Sequence, residues 1–204
     1  QYEIGAKFDL LDSALLATVA LYQIDKKDVA VYDIDHFNNT GEDAYFPGVE
    51  QRSRGVEVDV TGQITETVRV IANYAYTDAE ETKNAGDPSR VGQQLGNVPE
   101  HQVRLWGAYD FAAVSPLAGF GGGLGLRYEG ERLTQFDETI ELDAYVVVDA
   151  AIWYRHRLSG GQDLDARIHI DNLLNEEYIV RASDQSIAHP GEPLSVTGSL
   201  GISF

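Results

Sequence analysis

Alternation of apolar and polar residues is the sequence feature that most constrains what this chain can fold into. In one segment, Val56, Val58 and Val60 alternate with polar neighbours. Because successive side chains of a strand point to opposite faces, such a period of two predicts strands with one apolar and one polar face. The same period recurs at residues 2–9, 68–77, 103–111, 124–129, 146–155, 164–171 and 195–204.

A ninth strand is predicted at residues 14–30. Its two faces are harder to separate, because residues 15–20 are nearly all apolar. Together the segments predict an all-β chain of about nine strands. Helical periodicity is scarce, and no run of about 18 apolar residues is present that could form a transmembrane helix.

The composition argues against several classes of function. Asp and Glu number 33 against 15 Lys and Arg, which gives a net charge of −18. Nucleic-acid binding and docking on anionic lipid both need a basic surface. The chain has no cysteine, so disulfides, thiolate metal sites and cysteine nucleophiles are excluded. Without a P-loop, dinucleotide fingerprint, zinc-protease helix or nucleophile elbow, we expect no enzyme, no resident cofactor and no metal.

The lengths of the connections between the predicted strands alternate. Short connections fall at about residues 10–13, 62–65, 112–118 and 157–163. Long connections fall at about residues 33–48, 80–98, 132–141 and 173–193. Short periplasmic turns alternating with long extracellular loops are typical of outer-membrane β-barrels, whereas a Greek-key sandwich has no reason to sort its loops in this way. The last strand follows a long connection, so we expect it to end in the periplasm.

Aromatic residues are placed at both ends of the apolar faces. Tyr74 and Tyr76 close one face at its predicted outer end. At the predicted periplasmic end lie Tyr109, Phe111, Tyr154 and Phe204. Rings at both edges of an apolar band suit the headgroup regions of a membrane, although aromatic residues in a soluble β-core are the alternative interpretation.

Charged residues alternate with the apolar ones and predict a polar inner face. They are Glu57, Asp59, Arg69, Arg104, Asp110, Arg127, Glu129, Asp149, Arg155, Asp165, Arg167 and Asp171. Acids and bases are mixed in adjacent strands, so we expect cross-strand pairs and solvated charges rather than catalytic groups. His169 and Asp171 share this face, and they form either half a metal site or, as we favour, a simple hydrogen bond.

Five segments carry a family resemblance. They are GVEQRSRGVE at 48–57, GNVPEH at 96–101, AYVVVDA at 144–150, DNLLNEEY at 171–178 and GSLGISF at 198–204. In this order and spacing the chain resembles TonB-dependent outer-membrane receptors, especially the ferric-siderophore branch. Within these segments Asn97 and Asn172 suit turns or strand-entry points, where a short side chain can bond nearby backbone groups.

The resemblance implies an antiparallel up-and-down transmembrane barrel of about 22 strands around an N-terminal plug. Residues 1–204 would be the C-terminal portion of that barrel, with the plug and the earlier strands outside the chain. Nine strands alone would leave two open edges that lipid does not tolerate. We therefore expect the chain, which contains no methionine, to belong to a longer polypeptide or to pair with another chain.

The resemblance also implies a function, namely uptake of ferric siderophore through the plugged barrel by binding and conformational change. The implied partners are outer-membrane lipid and lipopolysaccharide, TonB through the missing plug, and the barrel-assembly machinery. Leu200, Ile202 and Phe204 share one face of the final strand and would form the assembly signal. The alternatives are a passive porin, a TonB-dependent receptor for cobalamin, a glycan or another metal chelate, and a soluble all-β binding domain.

Candidate ligand contacts lie in the long connections, where aromatic and polar side chains could converge on a bulky cargo. They are Tyr45 and Phe46 in the first, Arg90 and Gln94 in the second, Phe136 in the third, and Tyr178, Arg181 and His189 in the last. Each of them could instead pack the loops together. The first long connection also has an acidic cluster that could hold Ca²⁺ or bridge to lipopolysaccharide through divalent cations, namely Asp33, Asp35, Glu42 and Asp43. A solvated acidic loop is the simpler interpretation.

Overall fold

The computed structural model describes residues 1–134, 140–183 and 186–204. In chain order its elements are β1 (Tyr2–Leu10), β2 (Leu15–Tyr32), α1 (Ile34–Thr40), β3 (Tyr45–Gln63), β4 (Val68–Asn84), a 3₁₀ helix (Pro88–Arg90), β5 (His101–Asp110), β6 (Phe120–Glu129), β7 (Arg132–Leu133), β8 (Glu141–Leu142), β9 (Tyr145–Arg157), β10 (Asp163–Asp171), β11 (Ile179–Ala182), β12 (Ala188–Pro190) and β13 (Ser195–Ser203). No helix among the described residues is long and apolar enough to cross a membrane.

The main sheet contains nine strands in the order β1-β2-β3-β4-β5-β6-β9-β10-β13. Every neighbouring pair is antiparallel, so the chain runs up and down across the sheet. This confirms the nine strands predicted from the alternation. Two short hairpins, β7–β8 and β11–β12, lie inside the third and fourth long connections and were not predicted.

The connections of the main sheet differ in length at its two ends. One end carries the short connections 11–14, 64–67, 111–119 and 158–162. The other end carries the long connections 33–44, 85–100, 130–144 and 172–194. The predicted alternation is confirmed, and we call the two ends the short-turn end and the long-loop end.

One face of the sheet is continuously apolar because the strand registers align the apolar residues. In a single row Val58 pairs with Tyr74, Tyr74 with Val103, Val103 with Tyr128, and Tyr128 with Val146. These side chains have no covering layer among the described residues, and many large apolar residues on this face are exposed. Exposed apolar surface on this scale requires an apolar environment or a partner. We call it the apolar face.

The opposite face is polar and carries ion pairs between adjacent strands. Arg69 Nη2 lies 2.6 Å from Asp110 Oδ2, joining β4 to β5, and Arg155 Nε lies 3.4 Å from Asp165 Oδ2, joining β9 to β10. The predicted cross-strand pairs are therefore confirmed. All four side chains are about a third to a half exposed, so each pair contributes roughly 0–1 kcal/mol. Their main effect is to neutralise charge on the polar face of the sheet.

Tryptophan rings form the core of the polar face by lying over glycines of β6. A Cβ on Gly123 or Gly125 would come within 2.5 and 2.7 Å of the Trp106 ring. Trp153 crosses Gly121 in the same way and donates from Nε1 to Asp110 Oδ1 at 2.7 Å. The glycine-rich sequence of β6 thus makes room for two indoles, and any larger side chain there would displace them.

Strands β2, β3 and β4 continue past the apolar residues of the apolar face at the long-loop end. On the apolar-face register of β3, Val56 is followed by Arg54 and Arg52, which pair with Asp78 and Asp25 at 2.8 Å each. The strand predicted at residues 68–77 is longer than the alternation indicated, because β4 runs from Val68 to Asn84. The backbone ladder with β3 persists where the apolar pattern stops.

Candidate binding site at the long-loop end

A cavity of about 980 Å³ lies at the long-loop end, and we call it the outer cavity. It is bounded by the ends of β2, β3 and β4, by the connection 85–100 and by Arg181 of β11. The ionisable and aromatic side chains in its lining are Tyr32, Asp33, Asp35, Phe46, Glu81, Asp87, Arg90 and Arg181. The remaining lining residues are mainly small and aliphatic, so the cavity combines a few charged groups with an otherwise largely apolar surface.

A hydrogen-bonded corner around Glu81 forms one side of the outer cavity. Glu81 is 6% exposed and is bound by Arg90 Nε at 3.2 Å and by Asn84 Nδ2 at 2.8 Å. Asn84 Oδ1 in turn accepts from the backbone N–H of Asp87 at 2.8 Å. Asp87 then caps the 3₁₀ helix, and hydrogen bonds from the Ser89 hydroxyl and backbone N–H lower its pKa. The buried Glu81 carboxylate is therefore paired with a cation and an amide, which offset the cost of removing its charge from water.

Asn97 joins the second and the last long connections. Its Nδ2 donates to the carbonyl oxygen of Ala182 and its Oδ1 accepts from the Ala182 N–H, both at 2.9 Å. Asn97 adopts a positive φ of 60°, a conformation that asparagine tolerates better than most residues. It lies in a turn, as predicted, but the backbone groups that its side chain bonds belong to a residue 85 positions away rather than to the turn itself.

Like Asn97, Arg132 anchors the last long connection to another one, and no motif in the sequence indicated this role. Its side chain is almost fully buried, with 1% of the residue exposed. The guanidinium donates from Nη2 to the carbonyl oxygens of Ile179 and Val180, the latter at 2.8 Å. It also lies 5.3 Å from the centre of the Tyr145 ring, which packs at 4.3 Å against Tyr178. Strand β11 is thereby held against the connection 130–144.

Asn172 organises the base of the last connection. It is 2% exposed and has a positive φ of 52°. Its Nδ2 donates to the carbonyl oxygens of Glu176 and Glu192 at 2.9 and 3.0 Å, and its Oδ1 accepts from the Glu176 N–H at 2.8 Å. The predicted turn role of Asn172, bonding to nearby backbone, is confirmed.

Residues 1–173 match the family model described as "TonB dependent receptor-like, beta-barrel". The chain belongs to this family of TonB-dependent receptors.

Its relatives are receptors and transporters. Over the whole chain it is 35% identical to a metal-pseudopaline receptor of Pseudomonas aeruginosa, covering 27% of that protein. Over 88% of the chain it is 32% identical to the ferrichrome outer membrane transporter/phage receptor of Escherichia coli, covering 23% of that protein. The crystal structure of the siderophore receptor PiuA from Acinetobacter baumannii superposes with a TM-score of 0.79 at 27% identity, over 97% of this chain and 27% of that one. This TonB-dependent receptor chain thus spans about a quarter of the length of these relatives.

Three of the predicted ligand contacts meet in the outer cavity of this TonB-dependent receptor chain. Phe46, Arg90 and Arg181 come from three different long connections or their flanking strands, and all line it. Tyr45, by contrast, is 66% exposed and packs edge-on against Tyr32 at 5.4 Å, outside the cavity lining. Gln94 donates from Nε2 to the Val98 carbonyl oxygen at 2.9 Å, which supports the connection itself.

The remaining predicted contacts lie elsewhere. Tyr178 lines a second cavity of about 820 Å³ beside Tyr145. His189 pairs with Arg181 in the β11–β12 hairpin, is exposed, and lines neither cavity. Phe136 lies outside the described residues. A role in ligand binding stays a prediction for every one of these residues.

The acidic first connection uses its carboxylates locally. Asp33 accepts from the His36 N–H at 2.9 Å as the N-cap of α1, and Asp43 accepts from the Tyr32 hydroxyl at 2.9 Å. Desolvation and the Asp43 hydrogen bond raise the pKa of Tyr32. In residues 1–134, 140–183 and 186–204, no group of three or more His, Asp or Glu is placed to hold a metal ion. On the polar face, His169 and Asp171 form the expected contact, at 3.0 Å.

Proposed function

We propose that this chain forms part of the barrel wall and the outer mouth of an outer-membrane receptor that imports ferric siderophore in a TonB-dependent manner. The observation that carries the proposal is the two-sided sheet, with one apolar face, one polar face, and every long connection at the end that holds the outer cavity. A wall of this kind separates lipid from a polar lumen. The names of the ferrichrome transporter and of the siderophore receptor PiuA support the class of cargo.

The proposal assigns a direction and partners. The long-loop end faces outward, and the short-turn end and the C-terminus face the periplasm. The apolar face contacts outer-membrane lipid and, in the outer leaflet, lipopolysaccharide. Leu200 and Ile202 of β13 and the following Phe204 are exposed and would signal to the barrel-assembly machinery.

Transport in this proposal needs no covalent chemistry, so the protein is no enzyme and carries no resident cofactor. Ferric siderophore is the cargo, bound at the outer cavity and released by a conformational change that TonB drives through a plug outside this chain. Strands β1 and β13 pair with one strand each in this sheet, and we propose that further strands of the receptor complete their outer edges.

A second candidate cargo is a metal chelate other than ferric siderophore. The relative that is 35% identical over the whole chain is a metal-pseudopaline receptor, which favours this candidate. Both candidates share the same wall and cavity and differ in what the outer cavity recognises.

The proposal is tested with the full-length receptor. Purified protein in detergent is titrated with ferric hydroxamate, catecholate and carboxylate siderophores, with zinc and nickel chelates, and with cobalamin as a further cargo. Cells that express it are then grown with the bound siderophore as sole iron source, with and without TonB. We expect saturable binding of a ferric siderophore and growth that depends on TonB. Growth unaffected by the loss of TonB would fit a passive porin and contradict the proposal.

A further inference from the structure

Arg181 stands out among the charged residues of the outer cavity. Its side chain lines the cavity, yet it has no hydrogen-bond or ion-pair partner among the residues that the structure describes. Arg90, the other arginine in the lining, is bound to the buried carboxylate of Glu81. Arg181 therefore presents a guanidinium with unused donors to the cavity, and a guanidinium matches the two oxygens of a carboxylate.

The backbone is fixed on both sides of Arg181. The carbonyl oxygen of the preceding residue, Val180, accepts a hydrogen bond from Arg132. The following residue, Ala182, forms two backbone hydrogen bonds with the Asn97 side chain. Arg132 and Ala182 are buried, with 1% and 3% of each residue exposed. Arg181 is thus held at one place by residues from two other connections. Holding a binding group in position in advance reduces the entropic cost of binding.

We propose that Arg181 recognises a carboxylate on the cargo in the outer cavity, with Asn97 and Arg132 as its positioning residues. The inference rests on the proposed function and adds the chemistry of the group that the cargo presents. Asp33, Asp35 and Asp87 share the cavity lining, so further negative charges on the cargo would be repelled. The preferred cargo is therefore a chelate with one free carboxylate rather than a polyanion.

The test compares two probes that differ in one charge. Ferrioxamine B acylated with succinic acid carries one free carboxylate, and the methyl ester of the same complex carries none. Their dissociation constants are measured on the full-length receptor and on its Arg181→Gln variant. Since one charge-assisted hydrogen bond changes affinity by roughly tenfold to a hundredfold, we expect the parent receptor to prefer the acid by at least that lower factor. Arg181→Gln should lose this preference, and the carboxylates of the lining should then leave the acid bound no better than the ester.

A matched variant controls for the loss of a positive charge. Lys83→Gln removes an exposed cation that pairs with Glu50 and does not line the outer cavity. It should keep the preference for the acid, because it leaves the Arg181 guanidinium and the rest of the cavity lining in place.

The positioning role has its own readout. Asn97→Ala should lower the preference for the acid over the ester, but it should cause no further loss of preference in the Arg181→Gln background. A general loss of stability would weaken binding of both probes alike and leave their ratio unchanged, which would remove Asn97 from the inference.

The outcomes separate the inference from the proposed function. A parent receptor that shows no preference between the acid and the ester, whether it binds both or neither, overturns the role of Arg181. So does a preference that survives in Arg181→Gln. If other ferric siderophores still bind and support TonB-dependent growth, the proposed function stands without this inference.

Discussion

The first and the last long connections lie at the same end of the sheet but are held in different ways. Connection 33–44 consists largely of α1, capped by its own Asp33 and closed by the contact of Tyr32 with Asp43 at its base. Connection 172–194 is organised at its base by its own Asn172, and it is also held by two side chains of other segments, the buried Arg132 and the half-buried Asn97. The first connection therefore depends on its own residues, whereas the last is part of an interlocked structure. A variant that disturbs an anchor should loosen the last connection and leave the first unchanged.

Removing Arg132 should have the largest effect. Arg132→Ala deletes the donors to Ile179 and Val180 and leaves a cavity beside Tyr145. We expect the free energy of opening the β11–β12 hairpin to fall by about 3 kcal/mol, because buried carbonyls lose their partners. This opening free energy is measured in the full-length receptor from hydrogen exchange of the Gly191 amide, which donates to the Tyr178 carbonyl oxygen.

Arg132→Met serves as the control for packing, since it keeps much of the volume but none of the donors. It should lose nearly as much protection as Arg132→Ala if the hydrogen bonds matter most. Unchanged exchange of the hairpin amides in both variants would show that the last connection is not held by Arg132.

The effect of Asn97 should be smaller. Asn97→Ala removes two hydrogen bonds to Ala182. It also leaves an alanine at a positive φ, with no side-chain hydrogen bond to offset the strain of that backbone conformation. We expect a loss of about 2 kcal/mol in the opening free energy, read from exchange of the Ala182 amide. Asn97→Gly tolerates the backbone angle and should lose about 1 kcal/mol less. Equal losses in the two variants would contradict the contribution of the positive φ.

The smallest effect should come from the first connection. Asp33→Ala removes the N-cap of α1, a change that typically costs about 1 kcal/mol. Exchange of the Gly41 amide, which bonds to Phe37, should rise while the amides of the β11–β12 hairpin stay unchanged. Asp35→Ala, in the first turn but not at the cap, should have less effect. A rise in exchange in both connections would mean that they are coupled, which would contradict the independence of the first connection.

The sheet could be predicted from the sequence because its signal is local. Alternation at each strand sets the apolar and polar faces, and the strand registers then align rows such as Val58, Tyr74 and Val103. The ends of β4 could not be predicted in the same way. After Tyr76 the side chains become polar on both faces while backbone pairing continues to Asn84, so alternation reports the extent of the apolar band and not the length of the strand.

The site could be predicted only in part. Residue type and position in the long connections predict Phe46, Arg90 and Arg181 as candidate contacts, and these three share one cavity. The anchors differ in range. Asn172 bonds to Glu176 four residues away, whereas the partners of Arg132 and Asn97 lie 47 and 85 residues away. No local pattern in one sequence encodes hydrogen bonds between separate connections, so Arg132 gave no signal.

The central claim is that the two faces of this sheet meet lipid and a polar lumen, and spin labelling along β3 tests it most directly. Cysteine is placed singly at residues 56–61 of the full-length receptor, labelled with a nitroxide and reconstituted in lipid bilayers. Oxygen concentrates in lipid, so its collision rate with the label reports exposure to the membrane. We predict maxima at residues 56, 58 and 60 and minima at 57, 59 and 61. Oxygen accessibility without a period of two, or with maxima and minima exchanged, would contradict the account.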